Sequence, residues 1–235
     1  MTGDHLDLRH MVALANNEIA KARLVVHAFG NASQADHEAG VFAIKPSGIA
    51  CRDVTGDDIV VVALDDGRVV WGENRPSSDT PTHRAIYNGI GGVGGVTHTH
   101  SRFATAWAQA RQAIPCLGTT HADHFRGPVP VTRPLTRDEI ESEYETNTGR
   151  VIVEMYTSGG LDADEAPGAL VASHGPFAWG PTATASVRMA AAIELIAELA
   201  TNTLAIRPGQ EPLEGPLLDR HFTRKHGPMA YYGQP

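Results

Sequence analysis

Two histidines separated by a single residue stand at the end of an apolar run, in GVTHTHS at residues 95–101. In a β-strand, alternate side chains point to the same face, so His98 and His100 would present their imidazoles together. Imidazole nitrogens are common ligands of divalent metal ions. The same spacing also suits two polar residues on a half-buried strand, and taken alone it leaves both interpretations open.

A third histidine favours the metal site. His174 lies in SHGPFAWG, where a predicted strand runs into a tight turn. Three neutral imidazoles with one open position are typical of a catalytic zinc centre. Asp79, in SSDTPTH, can add a carboxylate ligand or orient a histidine. The alternatives are a histidine that bonds the backbone of a turn and an aspartate that favours a helix N-terminus.

Composition and charge narrow the class of protein. The 235 residues are 42% hydrophobic and 20% charged, with a formal net charge of −8. A chain of this size buries one substantial core. The acidic balance, without a lysine or arginine tract, argues against a nucleic-acid or anionic-membrane partner. No run of about 18 or more apolar residues is present, so no membrane span is expected.

The N-terminus and the cysteines predict a cytoplasmic protein. The first ten residues, MTGDHLDLRH, are acidic where a signal peptide needs a basic start and an apolar stretch. Cys51 and Cys116 are too few for a disulfide framework, and thiols stay reduced in the cytosol.

Periodicity predicts the helices that must position these residues. Apolar residues at helical spacing predict a helix over residues 5–22. Thr80 followed by Pro81 marks the start of a helix in TPTHRAIYNGI, and Ser101 would cap RFATAWAQAR. TRDE at residues 136–139 is a capping box that starts another helix. The longest helical pattern covers residues 183–206, and the tail from Pro208 is expected to be irregular.

Strand signals lie between these helices. A strand is predicted in LVVHAFGNAS, where it runs into a Gly30–Asn31 turn. Further strands are predicted in VFAIKPSG, in the hairpin DIVVVALDDGRVVWG, in GGVGGVTHTH and on both sides of the turn in ALVASHGPFAWG. RVIVEMY suits either a helix or a strand. Because the elements mix without a regular βαβ rhythm, the sequence predicts one α/β domain over residues 1–235. It would be a single three-layer domain with a central, largely antiparallel sheet and helices on both faces.

A series of motifs extends over nearly the whole chain. KPSG at 45–48, SSDTPTHRAIY at 77–87, VTHTHS, GTTHAD at 118–123, SHGPFAWG and the terminal YYGQ follow one another in this order. The series resembles the L-ribulose-5-phosphate 4-epimerase family of the class II aldolase superfamily, from the first helix to residue 234. The resemblance implies a class II aldolase-like fold.

The resemblance also implies a role for each matched residue. The metal-site residues are Asp79, His98, His100 and His174, with Zn²⁺ as the expected ion and Mn²⁺ or Co²⁺ as substitutes. The acid/base pair is Asp123 and Tyr232. The segments that hold the substrate, largely its phosphate, are Gly30–Asn31, Ser47–Gly48 and Ser77–Ser78. Further residues in similar surroundings are Lys45, Thr119, Glu145, His221 and Arg224.

The implied reaction interconverts L-ribulose 5-phosphate and D-xylulose 5-phosphate. C4 of a 2-ketopentose is β to the carbonyl, so deprotonation there gives no stabilised carbanion. Breaking C3–C4 instead leaves an enediolate, which a divalent metal stabilises as a Lewis acid. The aldehyde fragment then rotates and re-adds by its other face. The C4 oxygen lies on opposite sides in the two epimers, so two acid/base groups are needed.

Some of these residues also suit a purely structural role, and two other functions are open to the chain. Ser77 and Ser78 are also typical of local capping before a helix, and Tyr232 is also typical of an exposed tail aromatic. The rivals are a class II aldolase acting on a related sugar phosphate and a non-catalytic aldolase-like interaction domain. The family resemblance further implies a homotetramer, in which the tail at about 208–235 forms a subunit interface and Tyr232 enters a neighbour's site.

Overall fold

A seven-stranded antiparallel sheet organises the part of the chain that the computed structural model describes, residues 4–27, 29–228 and 230–233. Its strand order is β4-β3-β2-β1-β5-β7-β6. The strands are β1 Asn31–Asp36, β2 Val41–Ile44, β3 Val60–Ala63, β4 Val69–Trp71, β5 Gly95–His98, β6 Gly168–Leu170 and β7 Pro176–Gly180.

Helices cover both faces of this sheet. They are α1 Leu6–Lys21, α2 Thr80–Gly89, α3 Arg102–Ala110, α4 Thr119–Ala122, α5 Arg137–Glu141, α6 Tyr144–Thr157, α7 Ala183–Ile206 and α8 Gly215–Lys225. Successive strand side chains point to opposite faces. Phe42 and Val62 therefore join a core with Ile86 of α2 and Ile152 of α6, whereas Val61 packs on the α1 side. The three-layer α/β prediction is confirmed.

Most predicted elements are present. The first helix, the hairpin with its Asp66–Gly67 turn, the helix after Thr80, the strand–turn–strand around His174 and the helix at 183–206 all form. The Thr136–Glu139 capping box is complete, with both reciprocal hydrogen bonds. RVIVEMY is helical, as part of α6.

Two helix starts differ in detail from the prediction. Asp79, not Thr80, is the N-cap residue of α2. Ser101 is the N-cap of α3, but its side chain makes no cap hydrogen bond. Glu194 of α7 accepts the Phe103 and Ala104 N–H groups at 2.9 Å instead. A carboxylate from another helix thus accepts hydrogen bonds from two N–H groups that have no partner within α3.

Two other predictions were wrong. The strand placed in LVVHAFG, of which residue 28 lies outside the described part, begins only at Asn31, where a turn was expected. Its polar residues are acceptable because it pairs with β2 on one side and β5 on the other. The tail is not irregular throughout, since α8 forms there with Pro216 in its first turn and Phe222 buried. Residue 234 of the YYGQ motif lies outside the described residues.

Helix α7 is, by length and composition, long and apolar enough to cross a membrane. In the fold it lies on β5 and β7 and against α1 and α3, with Val187 and Ile193 in the core. Arg188, Glu194 and Glu198 interrupt its apolar sequence. Core helices of globular domains share these properties, so the expectation of no membrane span stays a prediction.

Candidate active site

The three predicted histidines converge at one end of the sheet. His98 is the last residue of β5, His100 follows two residues later outside the strand, and His174 lies in the β6–β7 turn. One ring nitrogen from each of them lies within 4.8 Å of the other two. The Nε2 atoms of His98 and His100 are 3.0 Å apart. The pairing of His98 with Phe177 across β5 and β7 brings the distant His174 to the same place.

Backbone contacts fix the orientation of the central imidazole. His98 Nδ1–H donates to the Pro176 carbonyl at 3.0 Å, and its ring stacks on Phe177 at a centroid distance of 4.1 Å. This bond leaves Nε2 with a lone pair aimed at the other two histidines. An imidazole that donates from one nitrogen and ligates through the other is the usual arrangement at protein metal sites.

Burial keeps these imidazoles neutral. It lowers the pKa of His98 to about 3, and His100 and His174 are also shifted below the usual histidine pKa, chiefly by burial. Metal ligation requires the neutral ring. Tetrahedral zinc with nitrogens at its usual bond length separates them by about 3.3 Å. The donor set therefore fits a divalent ion with small side-chain movement.

Asp79 lies beside the imidazoles at the start of α2. Its Oδ2 accepts a hydrogen bond from Asn31 Nδ2 at 2.7 Å, and Asn31 also donates to Ser77 Oγ at 3.1 Å. Burial alone would raise the pKa of Asp79, but the adjacent His98 and His83 and the hydrogen bond from Asn31 outweigh it and lower the pKa. A carboxylate held in its anionic form beside three neutral imidazoles suits a divalent cation.

A cavity of about 410 Å³ opens over this cluster; we call it the imidazole cavity. Of the seventeen predicted site residues, those that line it are Gly30, Asn31, Lys45, Ser47, Gly48, Ser77, Ser78, Asp79, His98, His100, Glu145 and His174. Gly30 has φ +77°, and a Cβ there would lie 2.8 Å from the His98 carbonyl oxygen. Only glycine lets the backbone approach this closely.

Lys45 stabilises the loop that carries Ser47 and Gly48. Its side chain is buried, and Nζ donates to the carbonyl oxygens of Pro46 and Ile49 at 2.9 and 2.6 Å. Burial lowers its pKa, partly offset by Cys51 and Asp79. These contacts orient the backbone on both sides of the Ser47–Gly48 segment.

Sequence reasoning missed two cavity residues, Phe29 and Tyr144. The Tyr144 ring stacks near His174, and its hydroxyl lies 3.5 Å from His174 Nδ1. The Phe29 ring lies 6.1 Å from that of His100. Tyr144 directly precedes the predicted Glu145, and that adjacency was the one available signal.

The five remaining predicted residues lie outside the imidazole cavity: Thr119, Asp123, His221, Arg224 and Tyr232. The last four of them and Lys225 form a second group, which we call the tail cluster. Arg224 donates to both Asp123 oxygens, at 3.1 and 2.9 Å, and His221 Nδ1 lies 3.1 Å from Oδ1. The Arg224 guanidinium also lies 4.2 Å from the centre of the Tyr232 ring. Thr119 is one helical turn before Asp123 and accepts its N–H through the backbone carbonyl.

The tail cluster holds Asp123 as an anion. Burial raises the pKa of this carboxyl, but the hydrogen bonds from Arg224 and His221 and the charge of Lys225 bring it below its usual value. Tyr232 lies against two cations, Arg224 and Lys225, and its side chain is half exposed. Within one chain, then, the two predicted acid/base residues are neighbours, and neither lines the imidazole cavity.

Fold, site and sequence identify the class of protein. A family model of the class II aldolase and adducin N-terminal domain matches residues 10–201, and the chain belongs to this family. Among curated proteins, the L-ribulose-5-phosphate 4-epimerase UlaF of Salmonella paratyphi A is 50% identical over 227 residues, covering 97% of this chain and 98% of the relative. UlaF of Salmonella typhi is equally similar, at 50% over the same coverage.

Solved structures share the fold. An L-fuculose 1-phosphate aldolase matches with a TM-score of 0.78 at 22% identity, over 94% of this chain and 99% of that one. The L-fuculose 1-phosphate aldolase from Glaciozyma antarctica PI12 has a TM-score of 0.75 at 18% identity, covering 96% and 84%. The predicted resemblance to the class II aldolase superfamily is confirmed, and so is the predicted fold class.

Proposed function

We propose that this protein is a metal-dependent isomerase that interconverts L-ribulose 5-phosphate and D-xylulose 5-phosphate. The observation that carries the proposal is the 50% identity, over 97% of the chain, to proteins named L-ribulose-5-phosphate 4-epimerase. The three convergent neutral imidazoles support it, because they suit the divalent ion that the chemistry needs.

His98, His100 and His174, with Asp79 beside them, would hold Zn²⁺, or Mn²⁺ or Co²⁺ in its place. A bound divalent ion would supply Lewis-acid stabilisation of the negative charge that develops when C3–C4 breaks. The electron pair of that bond stays with the C1–C3 fragment, and the C4 hydroxyl proton passes to a base of the protein. The products of cleavage are the enediolate of dihydroxyacetone and glycolaldehyde phosphate.

The polar end of the imidazole cavity would hold the phosphate while the aldehyde turns. Ser77 and Ser78 precede helix α2, where backbone N–H groups attract anions. The glycines at 30 and 48 bring further backbone groups close, and both have a positive φ. Lys45, Asn31, Ser47 and Glu145 complete the proposed substrate contacts.

Asp123 and Tyr232 would serve the C4 oxygen on its two sides. Asp123 is suited to accept a proton because Arg224 and His221 keep it ionised, and Thr119 belongs to the same segment. Since the tail cluster lies outside the imidazole cavity of its own chain, we propose that it completes the site of a neighbouring subunit.

Exposed apolar residues on α7, on α8 and in the tail support such an assembly. Leu199 and Ile206 of α7, Leu217 of α8, Tyr231 and Tyr232 are all more than a third exposed. Large exposed apolar side chains are frequent at protein interfaces. We propose one domain per chain and a homotetramer with the tail at an interface. The cytoplasmic location and the lack of nucleic-acid and membrane partners remain predictions.

Incubation with L-ribulose 5-phosphate tests the proposal. We expect D-xylulose 5-phosphate to form, and formation to stop with a chelator and resume with Zn²⁺. Accumulation of free glycolaldehyde phosphate without epimer would instead indicate an aldolase. No turnover by a metal-loaded protein would support a non-catalytic interaction domain and contradict the proposal.

A further inference from the structure

A chain of three buried side chains lies beneath the imidazole cavity. His83, on α2, is fully buried, and its Nδ1 lies 2.7 Å from Ser33 Oγ. Ser33 Oγ lies in turn 2.6 Å from Tyr87 OH. Ser33 is on the central strand β1. Nothing in the proposed reaction uses these three residues.

The direction of this chain follows from its far end. Tyr87 O–H can donate to Ser33 Oγ, which lies 2.6 Å away. Ser33 O–H then donates to His83 Nδ1. In the reverse direction, the Tyr87 proton would have no acceptor among the described residues, whereas the proton on His83 Nε2 lies on the same helix face as the Asp79 carboxylate. The network therefore places the proton of the His83 ring on Nε2.

This Nε2–H has no acceptor among the residues that the structure describes. An unpaired buried donor is destabilising, so such groups are rare without a role. Asp79 lies one turn earlier on the same face of α2, close enough to His83 for each group to affect the pKa of the other. The Asp79 carboxylate has one oxygen held by Asn31. Asp79 is the acidic group whose charge affects the His83 ring.

We propose that His83 is a positioning residue, whose Nε2–H donates to the Asp79 carboxylate and holds it toward the metal site. The inference rests on the proposed metal centre. Asn31 would hold one oxygen of the carboxylate and His83 would restrain the other. Tyr87 and Ser33 fix the ring so that a donor, rather than a lone pair, faces the anion. Partners of this kind typically change metal affinity by about 10–100-fold.

Two substitutions separate the functions of the two ring nitrogens. His83→Gln keeps an N–H donor near the Nε2 position, whereas His83→Asn keeps a polar group only near Nδ1. In metal-free full-length protein, titrated with Zn²⁺ against a chromophoric chelator, we expect His83→Asn to weaken affinity about 10–100-fold and His83→Gln to weaken it much less. In an Asp79→Asn background, this difference between Gln and Asn should vanish.

The measurements distinguish a failure of the proposed His83 role from a failure of the proposed metal centre. Equal affinities of the Gln and Asn variants, or a difference that persists in the Asp79→Asn background, would overturn the role of His83 and leave the metal centre standing. Failure of the parent protein to bind Zn²⁺ would overturn both. If neither variant folds, as thermal unfolding would show, Ser33→Ala replaces them. It removes the group that fixes the tautomer, and its loss of affinity must likewise disappear without Asp79.

Discussion

Two inactive variants are expected to restore each other's activity when they assemble together. His98→Ala removes a proposed metal ligand, and Asp123→Asn removes a proposed base; each alone should be inactive. Because Asp123 lies outside the imidazole cavity of its own chain, each complete site would take its cavity from one subunit and its tail cluster from another. A mixed assembly then contains some sites built only from intact halves.

The size of the recovery follows from this division. A working site needs its cavity from an Asp123→Asn chain and its tail cluster from a His98→Ala chain. With random assembly of an equal mixture, each requirement is met half of the time, so about one quarter of the sites are complete. Before selection, this fraction depends only on each site drawing on two chains, and it should fall on either side of an equal mixture. Selection for both tags removes the assemblies of a single chain type and raises the fraction slightly.

The assay is formation of D-xylulose 5-phosphate by the two chains co-expressed with different affinity tags and purified through both. Matched controls place both changes in the same half-site: His98→Ala with His174→Ala, and Asp123→Asn with Tyr232→Phe. These mixtures should stay inactive. Hybrids that show no recovery beyond these controls would refute the shared site, and recovery in a control would refute the grouping of residues.

Three further predictions concern single variants. Purified protein should carry about one divalent ion per chain, and His98→Ala or His100→Ala should remove both ion and activity; elemental analysis of an active, metal-free sample would contradict this. Asp123→Asn and Tyr232→Phe should each suppress epimerisation by about 10²–10⁴-fold. Each variant should still cleave one of the two epimers, a different epimer for each variant, and trapping of glycolaldehyde phosphate would measure this cleavage. Equal slowing of cleavage for both epimers would exclude the two-sided assignment. The pKa of Asp123 is depressed in the fold, so its stabilising contacts are present above its unfolded pKa and are lost as pH falls through the folded value. Arg224→Met should move this acid-induced loss of stability to higher pH, and unchanged melting curves against pH would contradict that cause.

Sequence patterns predicted the elements whose signals are local. The helical periodicity of α1 and α7, the Asp66–Gly67 hairpin and the Thr136 capping box each lie within a short window, and each formed. The position of strand β1 was predicted wrongly because its sequence, NASQAD, lacks an apolar pattern. Its polar side chains find partners far along the chain, such as Asn31 with Asp79, 48 residues away. Sequence alone gives no sign that such partners exist.

The prediction of an irregular tail was wrong for a related reason. Helix α8 buries only Phe222 among its described residues, so it carries little of the apolar pattern by which helices are recognised. What orders it is a set of polar contacts to Asp123, made by Arg224 and His221 about a hundred residues later in the chain. Propensity is a weak guide where tertiary contacts decide.

The candidate site shows the same division between local and distant information. The HxH spacing predicted the convergence of His98 and His100, although β5 ends at His98 and the second histidine reaches the site outside the strand. His174 joins them through the register of β5 against β7, in which His98 stands opposite Phe177. A slip of one residue would turn Phe177 to the other face and remove the ring on which His98 stacks. Register, set by packing across the whole sheet, therefore decides whether three histidines far apart in sequence become one donor set, and spacing in the sequence could not show it.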